Sequence, residues 1–230
     1  MKSPKKYWVP CLAQFSGHMG KSNTMIKTPV PVQRALQLLH EISPLSRPLE
    51  TYLSAFFEIQ QYDAHEYLLR NGEVCDRMIF IADGLVQIYC EPPMPLPLEM
   101  QGKEICNWFL MEGDLAISVE SFFGREASDE YIRAIEPTTT VSISYDALEN
   151  VYAAFPEFNY YGRRLTEAYY VKAIRQLKAL RYKRAADSYR YLEAHCPNLI
   201  ERVPVRHLAG YLGVDETYVN ALGTRRKVAN

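Results

Sequence analysis

The chain has 230 residues, of which 48% are hydrophobic and 23% charged, and its formal net charge is −1. This is the composition of an ordinary globular protein, long enough for one large domain or two small ones. No apolar run approaches the roughly 18 residues that span a membrane, and the N-terminus lacks the sustained apolar core of a signal peptide. Five dispersed cysteines without a C-x-x-C pair argue against a zinc or iron–sulfur site and indicate reduced thiols in a cytoplasmic protein.

The first residues along the chain carry little pattern. Residues 1–24 are polar and mixed, and we expect a poorly ordered lead there. Residues 25–155 are predicted to form one domain that begins with helices. Its apolar residues recur at helical spacing up to the break at Ser43-Pro44, and then again as far as Phe56.

The rest of this predicted domain reads as antiparallel β structure. The runs Tyr67–Leu69 and Met78–Ile81 are followed by Asn-Gly and Asp-Gly pairs, and Leu85–Tyr89 comes directly after the second pair. Short strands with such turns are typical of a sandwich or barrel. The proline-rich stretch 91–97 cannot pair as a central strand, so we place it in a loop. Further strand structure is predicted over Glu104–Met111 and Tyr131–Ile143.

Residues 156–180 are predicted to form one long amphipathic helix that connects two domains. Its apolar residues recur every three or four positions in a narrow stripe. We expect this stripe to pair with its twin in a homodimer, through Tyr161, Leu165, Ala168 and Ile174. Alternatively the stripe packs on the β-domain of its own chain, and both can hold for different residues.

Residues 181–230 are predicted to form a DNA-binding domain built on a helix-turn-helix. Apolar residues mark one face of each of two short helices, with the permissive Gly213 at the corner between them. These residues are Leu208, Ala209 and Leu212, then Val214, Val219 and Leu222. The second helix of such a unit enters a DNA major groove, whereas the same pattern also suits an ordinary helical hairpin in a core.

Charge is distributed unevenly along the chain. From Arg181 to the end there are nine Lys and Arg against five Asp and Glu, while the first 180 residues hold 17 basic and 22 acidic residues. Basic charge is therefore concentrated where the helix-turn-helix pattern lies, as contact with phosphate would require. A solvated basic face would look much the same.

The order of these parts resembles the Crp/Fnr transcriptional regulators, in a branch common in Bacteroidetes. The resemblance covers about residues 30 to 228 and rests on short blocks in order. These are Tyr67–Gly72, Met78–Tyr89, Glu112–Asp114, Tyr189–Leu192 and Leu208–Gly213. It implies an α+β chain with a cyclic-nucleotide-binding-domain-like β-roll, a dimerisation helix and a winged-helix-like, C-terminal helix-turn-helix.

The predicted ligand pocket departs from the cyclic-AMP-binding members of that family. Those members carry a glutamate for the ribose and, further on, an arginine for the cyclic phosphate. If Ala134 matches the family's later alanine, Ser128 replaces the arginine and is followed by two carboxylates, which would repel a phosphate. Arg125 or Arg133 could still reach in. The predicted pocket comprises Gly113, Asp114, Glu120 (as a candidate ribose contact), Ser121, Ser128 and Asp129. We expect an effector other than cyclic AMP and no resident cofactor.

The predicted reading helix follows an N-cap at Asp215. Glu216 could accept a hydrogen bond from cytosine, whereas Ala221 stands where relatives usually carry an arginine. The basic cluster one turn later suits phosphates. The predicted DNA contacts are Glu216, Thr217, Tyr218, Asn220, Thr224, Arg225, Arg226 and Lys227.

These patterns predict a homodimeric transcriptional regulator that binds double-stranded DNA, with RNA polymerase as a candidate partner. The alternative is an interaction or small-molecule-sensing module whose helix-turn-helix has degenerated. An enzyme is not favoured, because the sequence has no Gly-rich phosphate loop, H-E-x-x-H pair or G-x-S-x-G elbow. We also expect no metal site, since the five histidines are isolated.

Overall fold

The computed structural model describes residues 28–91, 104–180 and 185–229, without the side chains of residues 179–180 and 224–229. The predicted lead, residues 1–24, lies outside the described residues. The helices are α1 Val30–Ile42, α2 Arg47–Phe56, α3 Val119–Gly124, α4 Tyr145–Ala154, α5 Phe158–Leu180, α6 Ala185–His195, α7 Pro197–Arg202, α8 Val205–Leu212 and α9 Glu216–Ala229. The strands are β1 Glu58–Tyr62, β2 Tyr67–Leu69, β3 Arg77–Asp83, β4 Leu85–Cys90, β5 Ile105–Met111, β6 Leu115–Ala116, β7 Glu130–Ala134 and β8 Thr138–Ser144.

Within the described residues the strands form two four-stranded antiparallel sheets, ordered β1-β8-β3-β6 and β2-β7-β4-β5. The turn between β3 and β4 passes from one sheet to the other. It requires glycine, because Gly84 has a φ of 107° and a Cβ there would lie 2.7 Å from the Thr138 Cα. The predicted Asp83-Gly84 turn is confirmed. It joins strands of two different sheets, so β3 and β4 do not pair with each other as the strands of a hairpin would.

The inward faces of the two sheets enclose the first hydrophobic core. Ile79 and Ile81 from β3, and Val86 and Ile88 from β4, are at most 4% exposed. The helices α1 and α2 cover the other side of β3 and β8 and contribute further buried leucines such as Leu49. Burying one such side chain stabilises a fold by about 1.5–3 kcal/mol, so this core holds the β-roll together.

The predicted strand structure over Tyr131–Ile143 is two strands in different sheets. β7 pairs with β4 and β2, whereas β8 pairs with β3 and β1. Pro137 lies between them and has no N–H to donate to a ladder. The chain therefore crosses between the two sheets here, as it also does at the Gly84 turn.

The helix α5 runs from the β-roll towards the C-terminal helices, as predicted for residues 156–180. Its first turns pack on the chain's own β-domain. Tyr161 is 3% exposed, and its hydroxyl donates to the Pro44 carbonyl at 2.8 Å. The predicted role of Tyr161 in a dimer contact is therefore wrong. Leu165 packs against the same core, whereas Ala168 and Ile174 are half-buried.

The C-terminal helices build a second hydrophobic core. Leu192, Leu199, Leu208 and Val219 come from α6, α7, α8 and α9. Residues 185–229 contain helices only, so no wing strands are described there. Among the described residues, no helix is long and apolar enough to cross a membrane.

Candidate nucleic-acid interface

The corner between α8 and α9 has the geometry that its glycine predicted. Gly213 adopts the left-handed conformation at φ 66° and ψ 33°, directly after the last residue of α8. The Val214 N–H donates to the Ala209 carbonyl at 3.1 Å, which closes the end of the helix. The predicted helix-turn-helix corner is confirmed.

The start of α9 is capped by a side chain. The Asp215 Oδ1 accepts a hydrogen bond from the Tyr218 N–H at 2.7 Å, so the predicted N-cap is confirmed. The negative charge of Asp215 also faces the positive end of the helix dipole. The acidic side chain of Asp215 therefore has a structural explanation as a helix cap.

The inward side of α9 fixes the direction of its outward side. Val219 is 3% exposed and packs in the second core with Leu208 and Ala209. Leu222 is partly buried against the same residues. Because α9 is held by this side, the opposite side faces outward.

That outward side is open to solvent. Four of the predicted contacts on α9 are exposed, and Tyr218 is 42% exposed despite its large ring. These four are Glu216, Thr217, Tyr218 and Asn220. The side chains of the other four predicted contacts, Thr224, Arg225, Arg226 and Lys227, lie outside the described residues, although their backbone continues α9.

The predicted ligand pocket is a closed set of serine hydrogen bonds. Ser128 is buried, its hydroxyl bonds the Ser118 hydroxyl at 2.9 Å, and it also accepts from the Glu130 N–H at 3.0 Å. Ser121 accepts from the Cys75 N–H at 2.9 Å and donates to the Glu126 carbonyl at 2.6 Å. These hydroxyls therefore hold the segment together from inside.

The carboxylates placed in that pocket by the sequence point elsewhere. Glu120 and Asp129 are exposed, so neither lines a buried cavity. Asp114 is 5% exposed, and its Oδ1 accepts from the Lys172 Nζ on α5 at 2.6 Å. Asp114 therefore fastens the connecting helix, and its predicted ligand role is wrong. Gly113 supplies the turn before it at φ 87°.

Both arginines that could have reached the pocket are engaged with protein groups. Arg125 stacks over the Tyr145 ring at 4.2 Å and donates to the Cys75 carbonyl at 3.1 Å. Arg133 donates to Glu104 Oε2 at 2.7 Å and lies 4.7 Å from the centre of the Tyr89 ring. Both guanidinium groups are therefore bound to groups of the protein itself, and neither contact involves a phosphate-binding role.

Sequence reasoning missed the contact between the C-terminal helices and the β-domain. The Arg202 guanidinium at the end of α7 donates to both Glu112 oxygens, at 2.8 and 2.9 Å, and also bonds Glu136. Burial alone would raise the pKa of the Glu112 carboxyl, but hydrogen bonds from Arg202 and the Gly84 N–H lower it below its ordinary value. The partners lie far apart in the chain, so only opposite charge could have signalled the pair.

A model of the cyclic nucleotide-binding domain matches residues 59–155. This stretch of the chain is therefore similar to cyclic nucleotide-binding domains. A search of curated proteins found no match. The match covers both sheets of the β-roll, the helix α3 and the helix α4, while the helix-turn-helix follows it in the chain.

Solved structures share the fold over a longer part of this chain than the family model covers. CLP of Xanthomonas campestris, described as a c-di-GMP-responsive global regulator, is 13% identical with a TM-score of 0.56 over 80% of this chain and 93% of that one. FixK2 of Bradyrhizobium japonicum is 15% identical with a TM-score of 0.59 over 75% and 85%. A Crp/Fnr-family regulator of Eubacterium rectale is 15% identical with a TM-score of 0.58 over 80% and 85%. The predicted fold class is confirmed.

The β-roll of this chain therefore has the fold of a cyclic nucleotide-binding domain, while the polar groups of its predicted pocket bond one another. Ser118, directly before α3, and Ser128, shortly before β7, close the segment in which the sequence placed a ligand. Among the described residues, no group of three or more His, Cys, Asp or Glu side chains could hold a metal ion. The exposed side of α9 is the surface best suited to an external partner.

Proposed function

We propose that this chain is a homodimeric transcriptional regulator of the Crp/Fnr type that reads double-stranded DNA with α9. The supporting observation is that the outward side of α9 is exposed while its inward side is held in a glycine-cornered helix-turn-helix. A helix presented in this way fits the major groove, where each base pair displays a distinct pattern of donors and acceptors. The likeness of fold to a Crp/Fnr-family regulator supports the same proposal.

The exposed side chains of α9 offer the chemistry for reading bases. The Asn220 amide can both donate to and accept from an adenine edge, and the Thr217 hydroxyl can bond a base or present its methyl to thymine. The Glu216 carboxylate can accept from the cytosine amino group. Arg225, Arg226 and Lys227 follow in sequence, where we propose phosphate contacts.

The outer side of α5 supports the homodimer. Tyr170, Val171 and Leu177 are 68%, 41% and 52% exposed, an unusual set for a helix in water. Ile174 lies one turn from Tyr170 and about one turn from Leu177, so these side chains share one stripe. This stripe replaces Tyr161 as the proposed dimer contact, together with the predicted Ala168.

A charge placed in that stripe tests the dimer. Leu177→Glu should shift the protein from dimer to monomer, because a carboxylate cannot be buried against its twin without a partner. Val119→Glu is the matched control, since Val119 is also an exposed apolar residue, at 56%, but lies on α3, outside this stripe. Analytical ultracentrifugation separates the outcomes, and a Leu177→Glu protein that stays dimeric contradicts this interface.

We also propose that cyclic AMP is not the effector. With Ala134 matched to the family's later alanine, Ser128 stands where cyclic-AMP-binding members carry the phosphate-binding arginine, and its hydroxyl already bonds Ser118. Isothermal titration should show no binding at micromolar cyclic AMP. Micromolar or tighter binding that Ser128→Ala leaves intact would contradict the proposal.

Fluorescence anisotropy tests DNA reading itself. A duplex from the protein's own promoter region and a scrambled duplex of equal length are titrated at two salt concentrations. A reader should prefer its own duplex at both, whereas attraction by charge alone binds both duplexes and weakens steeply with salt. Equal binding to the two duplexes would favour a degenerate helix-turn-helix in an interaction module.

A further inference from the structure

The DNA-binding helices share a hydrophobic core with the β-domain. Leu85, Phe109 and Met111, from the outer face of β4 and β5, belong to the same buried cluster as Val203 and Leu208. The rings of Phe109 and Tyr211 lie 5.6 Å apart across this contact. The outer face of the second sheet is thus covered by the helix-turn-helix unit of the same chain.

The backbone of α8 lies close to the chain directly before β5. A Cβ added at Gly210 would lie 2.9 Å from the Glu104 carbonyl oxygen, so the helix touches the strand through its backbone. Any larger side chain at this position would push α8 away from β5. We call this contact, made by Glu104 and Phe109 with His207, Gly210 and Tyr211, the α8–β5 latch.

A buried histidine stands at the centre of the latch. The side chain of His207 is 4% exposed, and its Nδ1 lies 3.5 Å from Glu104 Oε2. The Arg206 Nε donates to the His207 Nε2 at 3.1 Å. Because Nε2 accepts this hydrogen bond, it carries no proton. The ring is therefore neutral, with its proton on Nδ1.

Protonation of this ring conflicts with its surroundings. A proton on Nε2 would remove the acceptor of the Arg206 bond and place a second positive charge beside that guanidinium. Arg133 adds another positive charge near the ring, although its Nη2 is bonded to Glu104 at 2.7 Å. Among these charged groups, only the Glu104 carboxylate favours the charged ring, and this carboxylate is already paired with Arg133.

We propose that the α8–β5 latch is opened by acid, with His207 as the group that takes up the proton. The charged and titratable groups around the ring are Glu104 directly before β5, Arg133 of β7, Arg206 of α8 and His65 of the turn after β1. Opening removes the packing of α8 on β5, so this short helix frays more easily and the helix-turn-helix unit is freed to turn relative to the β-domain. This regulatory consequence rests on the proposed DNA-binding function, whereas the latch itself is measurable without DNA.

Linkage gives the sign and size of the effect. Burial, with Arg133 and Arg206 nearby, lowers the pKa of His207 to about 4, below the ordinary value of 6.5. The closed latch therefore binds fewer protons than the open latch, so closure is fully favoured above pH 6.5 and weakens as the pH falls from there towards 4. Between pH 7.5 and 5.5 the closing equilibrium should weaken about tenfold.

Hydrogen exchange of the full chain, without DNA, tests this inference. Backbone amides of residues 205–212 are followed at pH 7.5 and 5.5 and corrected for the intrinsic pH dependence of exchange. Wild type should lose about tenfold protection at the lower pH. His207→Gln and His207→Asn, which keep a neutral polar side chain, should change less than about twofold.

Two further variants frame the result. His195→Gln removes an exposed histidine at the end of α6, away from the latch, and should respond to pH like wild type. Gly210→Val should lower protection of residues 205–212 at both pH values, because its Cβ meets the Glu104 carbonyl. Unchanged wild-type protection between the two pH values, or a pH response that the His207 variants retain, would overturn the inference. Because no DNA is present, a failed reading helix does not affect either outcome.

Discussion

The segment Gly113–Ala134 and the helix α9 both carry polar side chains of a predicted site, but the serine hydroxyls of the segment point inward while the polar side chains of α9 point outward. In the first, Ser118 and Ser128 are buried and bond each other at 2.9 Å. In α9 the polar side chains face solvent, and the apolar Val219 is turned inward. The hydroxyls of the first segment therefore stabilise its own fold, whereas the polar side chains of α9 remain at the surface.

The largest expected effect breaks the support of α9. Leu208→Ala should lower the free energy of unfolding by about 2–5 kcal/mol, because it leaves a cavity where Leu208 is now 2% exposed. Chemical denaturation measures the loss. Val119→Ala is the control, since Val119 is 56% exposed on α3 and should change stability by less than about 0.5 kcal/mol. Equal effects of the two substitutions would mean that the second core does not hold α9.

A smaller effect is expected where the helical unit meets the β-domain. Arg202→Gln should cost about 1–2 kcal/mol at neutral pH, since the Arg202 and Glu112 side chains are still about a quarter exposed. The pKa of Glu112 is lowered by Arg202, so this stabilisation is present above the ordinary carboxyl pKa and is lost as the pH falls through the lowered value. Wild type and variant should therefore converge in acid.

Denaturation at pH 7 and pH 3 measures that convergence. Arg163→Gln, which removes one exposed ion pair with Glu167 on α5, is the matched control and should change little at either pH. A constant difference between wild type and Arg202→Gln at both pH values would show that the ion pair with Glu112 is not the source of the stability.

The sequence predicted those elements whose signals are local. Gly84 and Gly213 mark their turns because only glycine adopts a positive φ easily, and each stands where the structure turns. The Asp215 cap was likewise visible, since the capped N–H is three residues away. Strands and helices with such punctuation were therefore recognised from the residues alone.

The rest of the site depends on contacts between distant parts of the chain. Asp114 was assigned to a pocket, yet its partner Lys172 follows 58 residues later, on α5. Tyr161 fitted the helical stripe equally well as a dimer contact or as a core residue, and periodicity alone does not separate the two. Glu120 was favoured for its carboxylate, although the short helix α3 turns it to solvent.

The hydrogen bond between the Ser118 and Ser128 hydroxyls gives the next prediction. Ser128→Ala should lower the free energy of unfolding by about 1 kcal/mol, because the buried Ser118 hydroxyl loses its partner. DNA binding should be unchanged, since the substitution leaves α9 untouched. Thermal unfolding and anisotropy measure the two quantities. A stability loss accompanied by lost DNA preference would mean that the two regions are coupled.

The smallest expected effect is electrostatic and concerns the reading surface. Glu216→Gln removes an exposed negative charge from the first turn of α9. Binding to the scrambled duplex should strengthen about two- to fivefold at low salt and return to the wild-type value at high salt, because exposed charges are screened. Glu149→Gln, an exposed carboxylate on α4, should have no such effect. The same response in both variants would mean that the net charge of the protein, and not the charge on α9, determines binding to the scrambled duplex.

The central claim is that the outward side chains of α9 read bases, and one measurement tests it directly. Sequences are selected from a random duplex library by the wild-type protein and by the double variant Thr217→Ala, Asn220→Ala. The account predicts that wild type selects a two-fold symmetric site and that the variant loses preference at defined positions, by about 1–3 kcal/mol for each lost base contact. The same selected sequence from both proteins, or none from wild type, would contradict it.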